Sequence, residues 1–171
     1  VALRWLVEVL GLPPQTEGAF VTGATMANFT ALAAARHVVL ARTGWNVEAD
    51  GLYGAPPITV VVGAEAHPTL LKSLGLLGLG RNRVVRVPTD RRGRMRADLL
   101  PSLDGPPIVC VQAGNINTGE FDPFGEICPA ARAVGAWVHV DGAFGLWAKA
   151  APRLAPLADG VELADSWATD A

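Results

Sequence analysis

Short runs of β-branched and other apolar residues alternate along the chain with longer stretches in which apolar positions recur at helical spacing. Residues 3–10 read as an amphipathic helix without a capping residue, broken by Gly11-Leu12-Pro13-Pro14. Gly18-Ala19-Phe20-Val21 is a strand candidate, followed by the turn Thr22-Gly23-Ala24-Thr25. Residues 26–42, rich in Ala and Leu and free of Gly and Pro, form a strong helical stretch, and residues 44–57 a loop. Ile58-Thr59-Val60-Val61-Val62 is a buried strand. His67-Pro68 then opens a helix that runs to about residue 77, where Gly78 and Gly80 end it. Residues 84–87 and 107–112 read as strands, with a short helix expected over 95–103 between them. A polar loop over 115–124, a helix over 125–134 and a strand over 137–140 follow. Strands and helices alternating at this spacing predict an α/β fold: a mostly parallel sheet, flanked by helices and joined by right-handed crossovers.

In such a sheet ligands bind beyond the carboxyl ends of the strands. The residues expected there are 22–25, 65–67, 114–118 and 141–143, each set small, polar or ionisable. Asp141 closes an apolar run and precedes Gly142-Ala143-Phe144-Gly145, as a carboxylate at the mouth of a crevice would; a turn-forming or capping Asp has the same pattern. Ala24 and Thr25 stand where free helix amides and a hydroxyl can meet an anion, although Thr25 also suits an ordinary N-cap. The segment is neither a Gly-Lys-Thr phosphate loop nor a GxGxxG fingerprint. His67 places an imidazole at the mouth of the sheet, available either to stack on a flat ligand or to bond locally. His139 alternates with Asp141, so both side chains share a face, and His139 is either a support for the carboxylate or an ordinary packed histidine. His37, inside a helix, reads as structural.

Composition narrows the partners. The 171 residues, half of them hydrophobic, suffice for one sizeable core. A formal net charge of −2, with acids and bases dispersed, argues against nucleic acid or an anionic membrane as partner. No apolar run reaches the roughly 18 residues of a membrane span. Cys110 and Cys128 fall in apolar surroundings and are expected as buried free thiols, consistent with a reducing cytoplasm. The three histidines lack mutual metal-ligand spacing, so no zinc site is expected.

Taken in order, Gly23-Ala24-Thr25-Met26-Ala27-Asn28, Ala66-His67, Gly114-Asn115-Ile116-Asn117-Thr118-Gly119, His139-Val140-Asp141-Gly142-Ala143 and Ala164-Asp165-Ser166 resemble the pyridoxal-phosphate-dependent decarboxylases related to aromatic amino acid and glutamate decarboxylases. The resemblance covers nearly the whole chain and implies the aspartate-aminotransferase-like architecture (fold type I), with residues 1–171 a partial cofactor-binding large domain truncated at both ends. It implies pyridoxal 5'-phosphate as cofactor and an L-amino acid as substrate. By the same resemblance Ala24 and Thr25 would hold the phosphate, His67 would stack on one ring face and Ala143 lie against the other, and Asp141 would pair with the ring nitrogen. His67 and Asp141 are thus the implied catalytic residues; Asn115, Asn117, Thr118 and Ser166 join the implied cofactor-binding set. The family carries its cofactor on a lysine that follows a segment like 165–171. The two lysines here, Lys72 and Lys149, occupy neither that position nor one near it in sequence, so the piece alone is expected to be inactive. The full-length protein is expected to be a cytoplasmic homodimer. Another reaction on the same fold (aminotransferase, lyase or desulfurase) and a non-catalytic module retaining the fold are the alternatives.

Overall fold

A computed structural model describes residues 1–170; Ala171, the last residue of the 165–171 segment, lies outside the described residues. Five strands, β1 (Thr59–Gly63), β2 (Val85–Val87), β3 (Pro107–Gln112), β4 (Trp137–Asp141) and β5 (Ser166–Ala168), form one sheet in the order β2-β1-β3-β4-β5. Every pairing is parallel. The helices are α1 (Ala2–Val9), α2 (Ala24–Ala41), the single turn α3 (Val47–Asp50), α4 (Pro68–Leu76) and α5 (Phe124–Ala133), and short 3-10 turns fill much of residues 145–163.

The near-continuous apolar runs of β1 and β3 follow from burial on both faces, as parallel sheets require. Val60, Val62, Ile108 and Cys110 turn toward α2 and α4, which cover one face with Leu32, Ala35, Val39, Leu70 and Leu74. Val61, Val109, Val111, Val138 and Val140 turn to the other face, against Phe124, Ile127 and Ala131 of α5 and against Leu146. Each fully buried side chain of this kind contributes about 1.5–3 kcal/mol relative to exposure. On α2 the buried positions are 28, 32, 35, 39 and 40, of which 28, 32, 35 and 39 form one helical stripe, and the first of them is an asparagine.

Three expectations fail in instructive ways. Residues 18–21 have the composition of a strand but stay outside the sheet, with Phe20 60% exposed, because no strand among the described residues lies alongside to complete a ladder. The helix expected over 95–103 shrinks to a 3-10 turn at Ala97–Leu99, cut short before Pro101. The helix that follows residue 23 begins at Ala24, two residues early, so Thr25 lies within its first turn and Gly23, at φ 98°, is the residue before it. Both cysteines are free and buried, and burial pushes the thiol pKa of each upward. Among the described residues no helix is long and apolar enough to cross a membrane, and no group of three His, Cys, Asp or Glu side chains is placed to hold a metal.

Candidate functional site at the carboxyl edge of the sheet

The strand order places a topological switch between β1 and β3. The chain leaves β1 toward β2 on one side, whereas β3 leads to β4 and β5 on the other, so the loops at their carboxyl ends diverge and open a crevice. Gln112, at the tip of β3, ties the two sides together. Its Oε1 accepts from the His67 amide at 3.1 Å and its Nε2 donates to the Glu65 carbonyl at 3.3 Å. Across the next strand pair Gln112 is in register with Asp141. The tips of β1, β3 and β4 thereby line up His67, Gln112 and Asp141.

His67 caps α4: Nδ1 accepts from the Thr69 amide at 3.3 Å and lies 2.7 Å from the Thr69 hydroxyl. The local role weighed for this histidine is therefore real, and it also fixes the ring, half-buried, with Nε2 uncommitted among the described residues. Asp141 is 6% exposed and forms no ion pair among the described residues. Burial raises its pKa above the ordinary carboxylate value. Asn28, the Ala143 amide and the His67 ring oppose that rise, and the Asp170 carboxylate adds to it. A buried carboxylate without a cation is costly, and it is the kind of group that a positively charged ligand atom would complete.

The start of α2 borders the same crevice. No side chain caps the helix, and the amides of Ala24 and Thr25 donate to no acceptor among the described residues. Free amides at the positive end of an 18-residue helix suit an anion such as a phosphate. The buried Ser73 hydroxyl of α4 donates to the Thr25 carbonyl at 3.0 Å and pins this first turn.

Other residues singled out in the sequence prove to be committed elsewhere. Asn115 is buried, but its Oδ1 accepts from the Asn117 and Thr118 amides while its Nδ2 donates to Glu65 Oε2 at 2.9 Å. It shapes the loop after β3. Asn117 and Thr118 sit exposed on that loop, and the Thr118 hydroxyl accepts from the Glu120 amide. Ser166 lies beside His139 rather than Asp141, with its hydroxyl engaged by Trp137 and His139. His139 reaches Asp141 only through Asn28, whose Oδ1 lies 2.8 Å from His139 Nε2. Ala143, half-buried, lies two residues after Asp141, and its carbonyl accepts from the Asp170 amide at 2.8 Å. Glycine makes this tight turn possible: a Cβ on Gly145 would lie 2.0 Å from the Ala113 carbonyl oxygen. Lys149 extends toward Asp159 and Glu162, and Lys72 is exposed on α4.

Asn28 and Gln112 are the two site residues that sequence reasoning passed over. A polar residue on the apolar stripe of α2 was the available signal for the first. A glutamine ending a fully buried strand was the signal for the second.

Comparisons with known proteins agree on one family. Residues 1–171 match the model described as the pyridoxal-dependent decarboxylase conserved domain. The chain is 30% identical over 172 residues to the acidic amino acid decarboxylase GADL1 of Bos taurus, covering 96% of this chain and 32% of that protein. It is 27% identical to the L-2,4-diaminobutyrate decarboxylase of Acinetobacter baumannii, covering 98% and 36%. Among solved structures, mouse CSAD in apo form superposes with a TM-score of 0.88 at 29% identity, covering 97% of this chain and 36% of that one. Oryza sativa TDC with PLP superposes with a TM-score of 0.80 at 27% identity, covering 98% and 39%. The chain thus spans about a third of the length of the relatives it matches.

Proposed function

The chain belongs to the pyridoxal-dependent decarboxylase family, and from that premise we propose that the protein it forms part of holds pyridoxal 5'-phosphate at the tips of β1, β3 and β4 and removes the carboxylate of an L-amino acid. The single observation that carries this reading is Asp141, a carboxylate buried at the crevice with no ion-pair partner among the described residues. When bound, the cofactor supplies a ring that accepts the electron pair left as carbon dioxide departs. Asp141 would hold a proton on the ring nitrogen, which keeps that ring electron-poor. The Ala24 and Thr25 amides would bind the phosphate, His67 would orient the ring from one face, and the small side chain of Ala143 would leave room on the other. Gln112, through the His67 amide, would keep the imidazole in place.

The chain is on this reading part of a cofactor-binding large domain, and the lysine that carries the cofactor comes from the remainder of the protein, since Lys149 extends toward Asp159 and Glu162 and Lys72 is exposed on α4. A homodimer is part of the proposal. Phe20, Met26, Ile116 and Phe144 are exposed on segments that border this edge, an apolar rim that suits cover by the rest of the protein or by a second copy. A cytoplasmic location is supported by the two unpaired thiols.

The test uses the full-length protein with pyridoxal 5'-phosphate, offered acidic, aromatic and basic L-amino acids one at a time. Carbon dioxide and the corresponding primary amine are expected in equal amounts from at least one of them. Transfer of the amino group to an added 2-oxo acid without gas release would establish a different reaction on the same fold, and bound cofactor with no turnover of any kind would establish a non-catalytic module.

A further inference from the structure

Behind Asp141 runs a line of polar side chains, half-buried at Trp137 and Ser166 and buried at His139 and Asn28, whose direction is set by chemistry. The Trp137 indole N–H can only donate, and it donates to Ser166 Oγ at 2.8 Å. With that oxygen accepting, the Ser166 hydroxyl proton is free for His139 Nδ1, 3.0 Å away. His139 is wholly buried, and burial pushes its pKa down to about 3, so its ring is neutral and carries one proton. Asn28 Oδ1, which can only accept, lies 2.8 Å from Nε2, so that proton sits on Nε2 and Nδ1 accepts from Ser166. The Asn28 amide is therefore oriented: oxygen toward His139, NH2 away from it. Among the described residues that NH2 has no partner at normal hydrogen-bond geometry although it is buried, yet it lies near enough to Asp141 to favour the charged form of the carboxylate. An unsatisfied buried donor of this kind costs about 1–3 kcal/mol and calls for a compensating role.

We propose that Asn28 is a positioning residue for Asp141, aimed by a one-way chain of hydrogen bonds that starts at Trp137 and passes through Ser166 and His139. This deepens the reading of Asp141 as partner of a cofactor ring nitrogen, and rests on it. Other groups also bear on the carboxylate. His67 from the β1–α4 turn favours its ionised form and Asp170, beyond β5, disfavours it, while Cys110 on β3 is close enough to feel its charge. Of the side chains around Asp141, Asn28 is the one that burial leaves with a free donor, so it can hold the carboxylate ionised without adding a charge of its own. The relay also explains why Ser166 is polar although it sits two residue pairs below Asp141 in the β4–β5 ladder.

Two readouts on the full-length protein decide the matter. Nitrogen-15 NMR of labelled histidine, without cofactor, is expected to find His139 protonated on Nε2 alone and unchanged from roughly pH 5 to pH 8. A proton on Nδ1 would overturn the proposal. With pyridoxal 5'-phosphate labelled at the ring nitrogen, Asn28→Leu is expected to lower the pH at which that nitrogen loses its proton by about one unit. Trp137→Phe, which frees Ser166 to donate elsewhere, is expected to mix the His139 tautomers and to shift the ring nitrogen in the same sense; it carries the test should Asn28→Leu fail to fold. A ring nitrogen that titrates as in the parent in the folded variant would overturn the proposal. If the parent binds no cofactor at all, the functional reading falls, and the histidine tautomer still decides the relay.

Discussion

Replacing Asp141 with alanine in the full-length protein is expected to cut cofactor retention and turnover by about a thousandfold. The equivalent of roughly 4 kcal/mol is what the loss of one member of a buried ion pair costs. The size of the effect follows from position. Asp141 ends β4 with 6% of its surface exposed, next to an Asn28 donor and the Ala143 amide that favour its charge. Once a pyridinium is paired with it, removing the carboxylate leaves that cation in a desolvated crevice. Asp141→Asn, of nearly equal volume, separates charge from shape: fold and melting temperature are expected to stay near the parent's while turnover falls almost as far as in the alanine variant. Equilibrium binding of pyridoxal 5'-phosphate and single-turnover rates check both. Unchanged affinity and rate in either variant would remove Asp141 from the chemistry.

Asp122→Ala is expected to destabilise the protein by about 2–4 kcal/mol, the cost of leaving two buried backbone donors without partners. Asp122 Oδ1 accepts from the Met95 amide at 2.6 Å and Oδ2 from the Gln112 amide at 2.7 Å. Its own amide donates back to the Gln112 carbonyl at 3.0 Å. The carboxyl group thus closes the loop after β3 onto the residue that positions His67. Its burial also gives stability a pH dependence, because desolvation raises the pKa from 3.8 to about 6 despite the two amides. The folded state consequently holds this proton more tightly than the unfolded chain does. The contribution is fully present below the unfolded value and is lost as pH rises through about 6, a change of about 3 kcal/mol for a shift of this size. Urea unfolding of parent and Asp122→Asn at a series of pH values isolates the effect. The difference between their stabilities is expected to change across that window and to level off on either side; a difference independent of pH would contradict it.

Much of the framework was legible because burial writes itself into composition. β1, β3 and β4 are covered on both faces, so their Val- and Ile-rich runs stand out, and the ends of β3 coincide with expectation. α4 was legible from His67-Pro68 at its start and Gly78 beyond its end. β5 escaped notice because three residues beginning with serine carry no period, and its existence depends on the long-range pairing with β4. The reverse error at residues 18–21 has the same root: propensity describes a residue's fitness for a ladder and says nothing about whether a neighbour is there.

The site divides similarly. His67 and Asp141 could be found because a polar residue at the end of an apolar strand is conspicuous. Asn28 left only the fainter signal of a polar residue on the apolar stripe of α2, and it is the packing of α2 on β4 that turns it inward to His139. Ser166 and Asn115 were singled out by the family resemblance, but which atom a hydroxyl or amide serves is decided by its neighbours in space. For Ser166 those are Trp137 and His139; for Asn115 they are Glu65 and its own loop.

The central claim is that the ends of three adjacent strands and the start of α2 enclose one phosphorylated pyridine ring. A crystal structure of the full-length protein with pyridoxal 5'-phosphate tests it most directly. The expected result has the ring nitrogen within hydrogen-bonding distance of the Asp141 carboxylate, the phosphate on the Ala24 and Thr25 amides, and the His67 imidazole parallel to the ring. A cofactor bound away from Asp141, or a phosphate seated anywhere other than the start of α2, would contradict it.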